Sequence, residues 1–423
     1  MRSSKQARQR SRAQLAAAVV GVDAGKFKHC LVVRPRGGAD SKPFAFHTTR
    51  EGFDLAAEKI LTLSGGVSPS EILIGIEFAG VYGFTFAYYL QQKGFQVVSV
   101  LASHSKRWKE VMHSQPIKTD EKDAGTITDL VAIGQFVSFP FLKKEYAELR
   151  YLVSARDNLS IQRTAALTRL KSVLQVVWPE FEKVFPKFQY ITPLKLLARY
   201  PGPEDLLKAP KRQVLKLLKE ISRNHLGEKT YQQLVEAAER TVGLPIAQGA
   251  LKGEIPLLIE QIDVFIRQMD VIEARMEEVL QTLPEAKFLL SIPGVAPVSA
   301  AVFLGLIGDP QAYDSSKQIL KLAGLSLVER SSGTTKGQPH ISKRGKPLLR
   351  RQVFMLALRA VRSDGMFRGR FERHLARTGG RKMPVIVELS RDMLCLMFNI
   401  ARERRYYTPE PPRRQNRRTE VAA

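Results

Sequence analysis

The chain has 423 residues, with 66 Lys and Arg against 41 Asp and Glu, a formal charge of +25, and 44% hydrophobic residues. That length admits two or three domains with ample core, and the charge excess predicts a polyanionic partner, nucleic acid before an acidic membrane surface. Two cysteines far apart in sequence, Cys30 and Cys395, argue against a disulfide framework or a Cys/His zinc site and fit a reducing cytoplasm.

At the N-terminus Arg2, Lys5, Arg8, Arg10 and Arg12 precede the apolar run Leu15–Val22. The pattern imitates a signal peptide, but it leads into Asp23 without an A-x-A site. It reads as a basic arm over 1–16 followed by a buried strand. No apolar run approaches the roughly 20 residues that span a bilayer, so a cytoplasmic, nucleoid-associated protein with no membrane contact is expected.

Ala17–Val22 is continuous and β-branched, a central strand that ends at Asp23. His29–Val33 returns as a second strand and Pro43–His47 gives a third. Gly52–Leu63 has helical spacing through Phe53, Ala56, Ile60 and Leu63. Ile72–Ile76 is another buried strand with Glu77 at its end. Gly83–Lys93 reads as a helix and Phe95–Val100 as a strand. A basic loop follows, with His104, Lys106, Arg107, Trp108 and Lys109, and then a helix from Asp120. This is a mixed α/β domain over 17–145, with acids at the strand ends, where open α/β sheets place their sites.

Asp120 and Asp123 are three apart and share a helix face. Thr119 or Asp120 suits an N-cap, and acids suit a first turn. Alone, such a stretch reads most simply as a solvated helix start. With Asp23 and Glu77 it makes four carboxylates from two strands and a helix, a hard oxygen-only site for Mg²⁺ or Mn²⁺.

Residues 146–284 read as a helical, coiled-coil linker. Leu152, Leu159, Ala166 and Val173 recur every seven residues up to Trp178-Pro179, with Arg156 and Arg163 on the companion seam. A second long helix is predicted from near Pro256, where Leu258, Ile262, Phe265, Met269, Ile272, Met276 and Val279 alternate steps of four and three. The two seams suit an intramolecular hairpin or a dimerising stalk equally. Between them, about 180–250, lies an irregular helical insertion punctuated by prolines, to which no role attaches.

The C-terminal domain is expected over 285–405. Ser291–Ala300 is a glycine turn feeding the helix Val298–Ile307, like a helix-hairpin-helix whose amides hold a phosphate; a plain turn between packed helices is the rival. Leu325–Arg351 gathers Ser331-Ser332-Gly333, Lys336, Lys343-Arg344-Gly345-Lys346 and Arg350-Arg351 between two helices. Such a run is ordinarily a polar surface loop. It also has what a phosphoryl-transfer nucleophile needs: a hydroxyl beside flexible backbone, with cations for the phosphate. Helices are predicted at Pro347–Arg362 and Val385–Glu403. The Pro/Arg-rich segment Arg404–Arg418 reads as disordered, with 406–423 as a basic tail.

Taken together, these motifs resemble the DEDD-type transposases of bacterial insertion sequences, the insertion sequence 110 family. Gly21-Val-Asp23-Ala-Gly-Lys26 is similar to the family's first motif. Glu77-Phe-Ala-Gly-Val-Tyr82 is similar to the second, with Ala79 where threonine is usual, and Lys118-Thr-Asp-Glu-Lys-Asp-Ala124 to the third. The C-terminal half matches through Ile292-Pro-Gly-Val, Ile307-Gly-Asp-Pro, Ala323-Gly-Leu, Ser332-Gly, Ile341-Ser-Lys-Arg-Gly and Leu349-Arg-Arg. It departs at Ser326-Leu327, where Thr/Ala-Pro is common, and in the longer middle segment.

The resemblance implies an α/β RNase H/RuvC-like N-terminal domain, a coiled-coil segment and a mostly helical transposase domain. It maps the nucleophile to Ser332 and the four metal-binding acids to Asp23, Glu77, Asp120 and Asp123. It implies donor and target DNA, a structured guide RNA from the element, and homodimers assembling into a tetramer. Lys106, Arg107, Lys118, Lys336, Lys343, Arg344, Lys346, Arg350 and Arg351 are the expected nucleic-acid contacts. Ser332 and the acids fall in different domains, so a composite site is expected. A RuvC-like nuclease, a DNA invertase and a non-catalytic nucleic-acid-binding protein are the alternatives.

Overall fold

The computed structural model describes residues 5–78, 82–112, 120–138, 144–246, 248–328, 331–332, 335–336, 340–362 and 367–409. Within these, the side chains of Lys5, Met112, Asp120, Glu121, Ser138, Gln248, Ser331, Ser332, Thr335 and Lys336 lie outside the described set, and Lys118, Ala79 and the tail beyond Pro409 lie outside it altogether. The chain divides into two compact units, Met1–Phe141 and Leu142–Ala423.

In unit 1, helix α1 (Lys5–Leu15) precedes strands β1 (Ala18–Ala24), β2 (Lys28–Pro35) and β3 (Phe44–His47) and helix α2 (Arg50–Leu63). Strand β4 (Ile72–Glu77), helix α3 (Phe84–Gln92), strand β5 (Gln96–Val100), helices α4 (Ala102–Met112) and α5 (Asp120–Ala132) and strand β6 (Val137–Ser138) complete it. The sheet order is β3-β2-β1-β4-β5-β6. β1 runs parallel to β4, and β4 to β5, while the β1–β2, β2–β3 and β5–β6 pairs are antiparallel.

Period-two alternation divides the strands between two layers. Val20, Val22, Ile74 and Ile76 face a core shared with Phe53, Ile60, Phe86 and Leu90 of α2 and α3. Val19, Leu73 and Val98 face Ile127, Leu130 and Val131 of α5.

Two expectations change here. The basic stretch His104–Lys109, predicted as a loop, is the interior of α4. Ser105 is buried and Trp108, three residues on, packs on the α5 core; high polarity masked this helical spacing. The N-terminal basic segment forms α1, and its Ala13 is buried against the same core. Arg12 donates to Gln96 Oε1 at 2.9 and 2.7 Å.

Unit 2 begins with the long helix α6 (Lys144–Val177). Five short helices follow: α7 (Phe181–Val184), α8 (Ile191–Arg199), α9 (Pro203–Lys208), α10 (Lys211–Ser222) and α11 (Glu228–Glu239). The second long helix, α12 (Gln248–Gln281), runs antiparallel to α6, with Glu148–Arg275 at 2.6 Å, Arg156–Glu273 at 2.5 Å and Arg169–Glu254 at 2.6 Å as rungs. The two long helices thus pair within the chain. α12 starts eight residues before Pro256, which sits inside it. A proline costs a helix its own N–H bond and crowds the turn before it; here buried Ile255 and partly buried Leu251 tie that turn into a core.

That core fills the far end of the hairpin and makes the middle segment a folded module. Trp178, Phe181, Leu196, Leu197, Val214, Leu218 and Leu234 pack against Leu170 and Val173 of α6 and Leu258 and Ile262 of α12.

At the other end the hairpin joins α13 (Ala286–Leu290), α14 (Pro297–Ile307) and α15 (Ser316–Ala323). Four two-residue strands follow: β7 (Leu327–Val328), β8 (Ser331–Ser332), β9 (Thr335–Lys336) and β10 (His340–Ile341). Helices α16 (Pro347–Arg362), α17 (Arg368–Arg377) and α18 (Lys382–Glu403) close the unit. The core holds Leu149 and Val153 of α6, Met276 and Leu280 of α12, Phe303, Val353, Leu389 and Phe398. The chain remains packed past α18, so the expectation of disorder does not hold over 404–409, and the rest of that expectation lies outside the described residues: the Tyr406 ring meets Phe288 edge-on at 5.0 Å and the Tyr407 amide donates to Ser291 Oγ at 2.8 Å. Two aromatics anchor what charge alone reads as a tail.

Candidate functional site

In unit 1, Asp23 and Glu77 are register partners at the ends of two parallel strands. On the same face, two residues earlier, Gly21 pairs with Gly75. A Cβ at Gly21 would collide with the Ala124 carbonyl and the Thr128 amide, and one at Gly75 with the Val131 side chain. The paired glycines let the α5 backbone lie directly on the sheet. Thr128 is fully buried there and donates to Ala124 O at 2.9 Å and Val32 O at 3.3 Å.

This seating sets the position of the α5 acids. Ala124 packs on Cys30 and Val32 of β2, and Cys30 is the register partner of Asp23. The start of α5 therefore lies over the Asp23 end of β1. Asp123 is 9% exposed and its carboxylate lies 2.5 Å from the Lys109 ammonium of α4. Asp120 is the first residue of α5.

An all-carboxylate set suits a hard divalent cation, and the registered pair Asp23–Glu77 fits one. Among the described residues, however, no three His, Cys, Asp or Glu form a group able to hold a metal ion. Lys109, which sequence reasoning counted only among basic residues, is the partner of Asp123.

On α4, Lys106 and Arg107 are exposed. Trp108 Nε1 donates to Asp129 at 3.4 Å, and Arg34 bonds the same carboxylate at 2.6 Å. Phe27, Tyr82 and Phe84 are exposed aromatics near the strand ends that carry the acids; Gly83, between the last two, rests against Ala24 and Ile76. Isolated rings give no sequence period; of the three only Tyr82 carries a sequence signal, as the end of the Glu77–Tyr82 motif.

In unit 2 the segment read as a polar loop is a nested hairpin. β7 pairs with β10, Val328 opposite His340. Inside it β8 pairs with β9, with Ser332 opposite Thr335 and Ser331 opposite Lys336. Ser332 and Thr335 are thus the innermost pair among the described residues. The base is clamped to α15: the amides of Ser342, Lys343 and Lys346 donate to the carbonyls of Ser326, Gly324 and Leu322 at 2.8, 2.9 and 2.7 Å.

The expected nucleic-acid cations divide accordingly. Lys343 and Arg344 are exposed. Arg350 donates to Ala323 O at 2.9 Å, at the end of α15. Lys346 donates to Leu306 O at 2.6 Å, in the last turn of α14, where burial and the nearby Arg150 push its ammonium down to about 8. Arg150 donates to Gly305 O at 3.2 Å and Tyr313 to Ile307 O at 2.5 Å. The open carbonyls of α14 are thereby satisfied by side chains, as a helix end requires. Arg351 pairs with Asp157.

The expected phosphate-binding turn is Ser291–Ala296, between α13 and α14. Gly294 takes φ +84 there and Pro297 opens α14.

Comparison with known proteins gives these two regions a common identity. Residues 20–179 match the family model of the IS110 DEDD transposases, described as a transposase. Residues 286–372 match the transposase model of the IS116/IS110/IS902 family. The chain is 25% identical over 397 residues to the insertion element IS116 44.8 kDa protein of Streptomyces clavuligerus, covering 93% of this chain and 96% of that one. It is 27% identical over 299 residues to the insertion element IS110 43.6 kDa protein of Streptomyces coelicolor, covering 70% and 73%. A pilin gene-inverting protein of Moraxella lacunata is 28% identical over 123 residues, covering 28% and 38%. Among the described residues no helix is long and apolar enough to cross a membrane. The chain belongs to the IS110 family of DEDD transposases, enzymes of insertion sequences that act on DNA.

Proposed function

We propose that this transposase cuts and rejoins DNA with Ser332 as nucleophile, assisted by divalent-metal binding at Asp23, Glu77, Asp120 and Asp123 in an RNase H/RuvC-like domain. The observation that carries the metal-binding part is the register pairing of Asp23 with Glu77 beneath the seated start of α5. The β3-β2-β1-β4-β5 order, with only β1, β4 and β5 mutually parallel, supports the RNase H-like reading.

Ser332 Oγ attacks a DNA phosphorus, forming a phosphoserine ester as the bond to the 3′ oxygen breaks. That oxygen takes up a proton and leaves as a 3′-hydroxyl. Attack of another strand's 3′-hydroxyl on the phosphoserine rejoins DNA and frees the serine, so the phosphodiester bond count is conserved. Mg²⁺ or Mn²⁺, when bound, supplies charge neutralisation at the phosphate. The pairing of Ser332 with Thr335 inside the β7–β10 pair supports this reading, and the exposed Lys343 and Arg344 at the base would hold the DNA backbone.

Donor and target are DNA, and a structured RNA from the element guides their choice. Assembly is through homodimers that pair into a tetramer; half-buried Leu159 and Met269 in the middle of the hairpin, outside both cores of unit 2, support an apolar contact there.

The test is recombination between plasmid donor and target with the element's flanking non-coding DNA supplied, comparing wild type, Ser332→Ala and Asp120→Ala and trapping covalent adducts. Adduct and product from wild type alone support the reading. Mg²⁺-dependent cutting by Ser332→Ala instead identifies a nuclease. The similarity to pilin gene-inverting proteins favours inversion as the second reading; recombination confined to inverted sites on one molecule would establish it.

A further inference from the structure

The helical module α7–α11 falls wholly between the two family matches and has a strongly basic face. Helix α10 reads Lys211-Arg-Gln-Val-Leu-Lys-Leu-Leu-Lys-Glu-Ile-Ser222. Val214 and Leu218 are buried and Leu217 packs against the same core, which fixes the helix's rotation. Arg212, Lys216, Lys219 and Arg223 then step by four, three and four along the exposed side. With Lys211 they line a shallow groove. At 1.5 Å per residue the row extends about 16 Å.

Folding does not account for this row. Lys216 meets Glu220 at 3.7 Å and Lys211 meets Glu228 at 2.6 Å, both solvent-exposed pairs of the kind that add little stability. No ion pair to Arg212, Lys219 or Arg223 is present among the described residues. Arg223 ends the helix with φ 53, a left-handed position where glycine is the relaxed choice, and Asn224 follows at φ 64. The row is thereby carried past the last turn by an arginine.

We propose that this face of α10 docks on the phosphate backbone of duplex DNA flanking the reacting bases. The proposal rests on the DNA-acting family identity and not on the serine mechanism. Duplex DNA presents one charge per about 1.7 Å of axis, a density that a fixed row of cations complements. The row contains no aromatic residue, and stacking rings are what single-strand binding uses. Tyr231, beside it, is half-buried with the Lys211 ammonium 5.6 Å over its ring.

The experiment uses the full-length chain carrying Arg212→Gln, Lys216→Gln, Lys219→Gln and Arg223→Gln together. Affinity for a duplex bearing an element end is measured across a salt series, beside Lys229→Gln as a control on α11. The quadruple variant is expected to melt with wild type, to bind at least tenfold more weakly near 0.15 M salt, and to lose about 3–4 from the slope of log affinity on log salt. Lys229→Gln is expected to stay within 1 of the wild-type slope. An unchanged slope and affinity in the quadruple variant overturns the proposal, as does a loss confined to structured RNA. Ser332→Ala keeps the wild-type slope, so failure of the serine mechanism and failure of this docking face read out separately.

Discussion

The Lys109 ammonium lies 2.5 Å from the Asp123 carboxylate, joining α4 to the first turn of α5. Asp123 is nearly buried, so this cation neutralises it at the position where the proposed function needs a metal ligand. On that reading a divalent ion and Lys109 compete for one carboxylate. Without metal, Lys109→Met leaves Asp123 unpaired and should destabilise unit 1 by about 1–3 kcal/mol. With metal the sign reverses: the Mg²⁺ concentration that raises the melting temperature should fall about tenfold. Thermal melts of both proteins across a Mg²⁺ series measure both effects. Equal midpoints would mean that Lys109 does not compete.

A pair of glycine substitutions separates packing from helix propensity on α5. At Gly21 an added Cβ meets backbone of α5, which cannot move without carrying Asp120 and Asp123 with it. Gly21→Ala should cost about 2–3 kcal/mol and abolish adduct formation. Gly125, on α5 itself, has nothing within 4 Å of its Cβ position. Gly125→Ala should therefore be neutral or stabilising by up to about 1 kcal/mol and remain active. Thermal melting with the adduct assay distinguishes them; an active Gly21→Ala would show that α5 need not sit this close.

The strands of unit 1 were legible because their apolar runs are short, β-branched and bounded by turns, and because acids interrupt them at the ends. Asp23 and Glu77 could be singled out as strand-end acids, but neither their register nor the close seating of α5 that Gly21 and Gly75 permit is legible in one sequence. α4 was hidden because its inward residues, Ser105 and Trp108, are too few to give an apolar period among His104, Lys106, Arg107 and Lys109. The cations after Ser332 looked equivalent in sequence. Structure separates them, because Lys346 and Arg350 reach helix-end carbonyls whereas Lys343 and Arg344 remain exposed. The hairpin alternative for the two heptad seams also needed the structure, since a seam does not state whose seam it faces.

Glu285 links three parts of unit 2. It is fully buried, accepts from the Tyr146 hydroxyl of α6 at 2.9 Å, and pairs with Arg404 after α18 at 3.0 Å. Burial, reinforced by the carboxylate, raises the Tyr146 hydroxyl well above its ordinary range and keeps it protonated as a donor. Glu285→Ala orphans a buried hydroxyl, whereas the half-exposed Arg404 can turn to water. The expected cost is about 2–3 kcal/mol, falling to about half in Glu285→Gln, which keeps an acceptor. Denaturant unfolding of the two variants checks this, and equal losses would assign the effect to the charge alone.

Lys346 gives unit 2 a pH dependence of defined sign. Its folded value is about 8 against 10.5 for the free side chain, with burial the larger cause and Arg150 the smaller. Between these values the unfolded chain binds more protons than the folded one, so stability from this residue rises with pH above about 8. The contact survives deprotonation, since a neutral amine still donates to Leu306 O. Tyr313, at the same helix end, is held protonated through the window by burial. Urea unfolding at pH 7, 8.5 and 9.5 should show wild type gaining about 1–2 kcal/mol over Lys346→Met as the pH rises. Parallel profiles would place the ammonium in better contact with water than its bond to the α14 carbonyl implies.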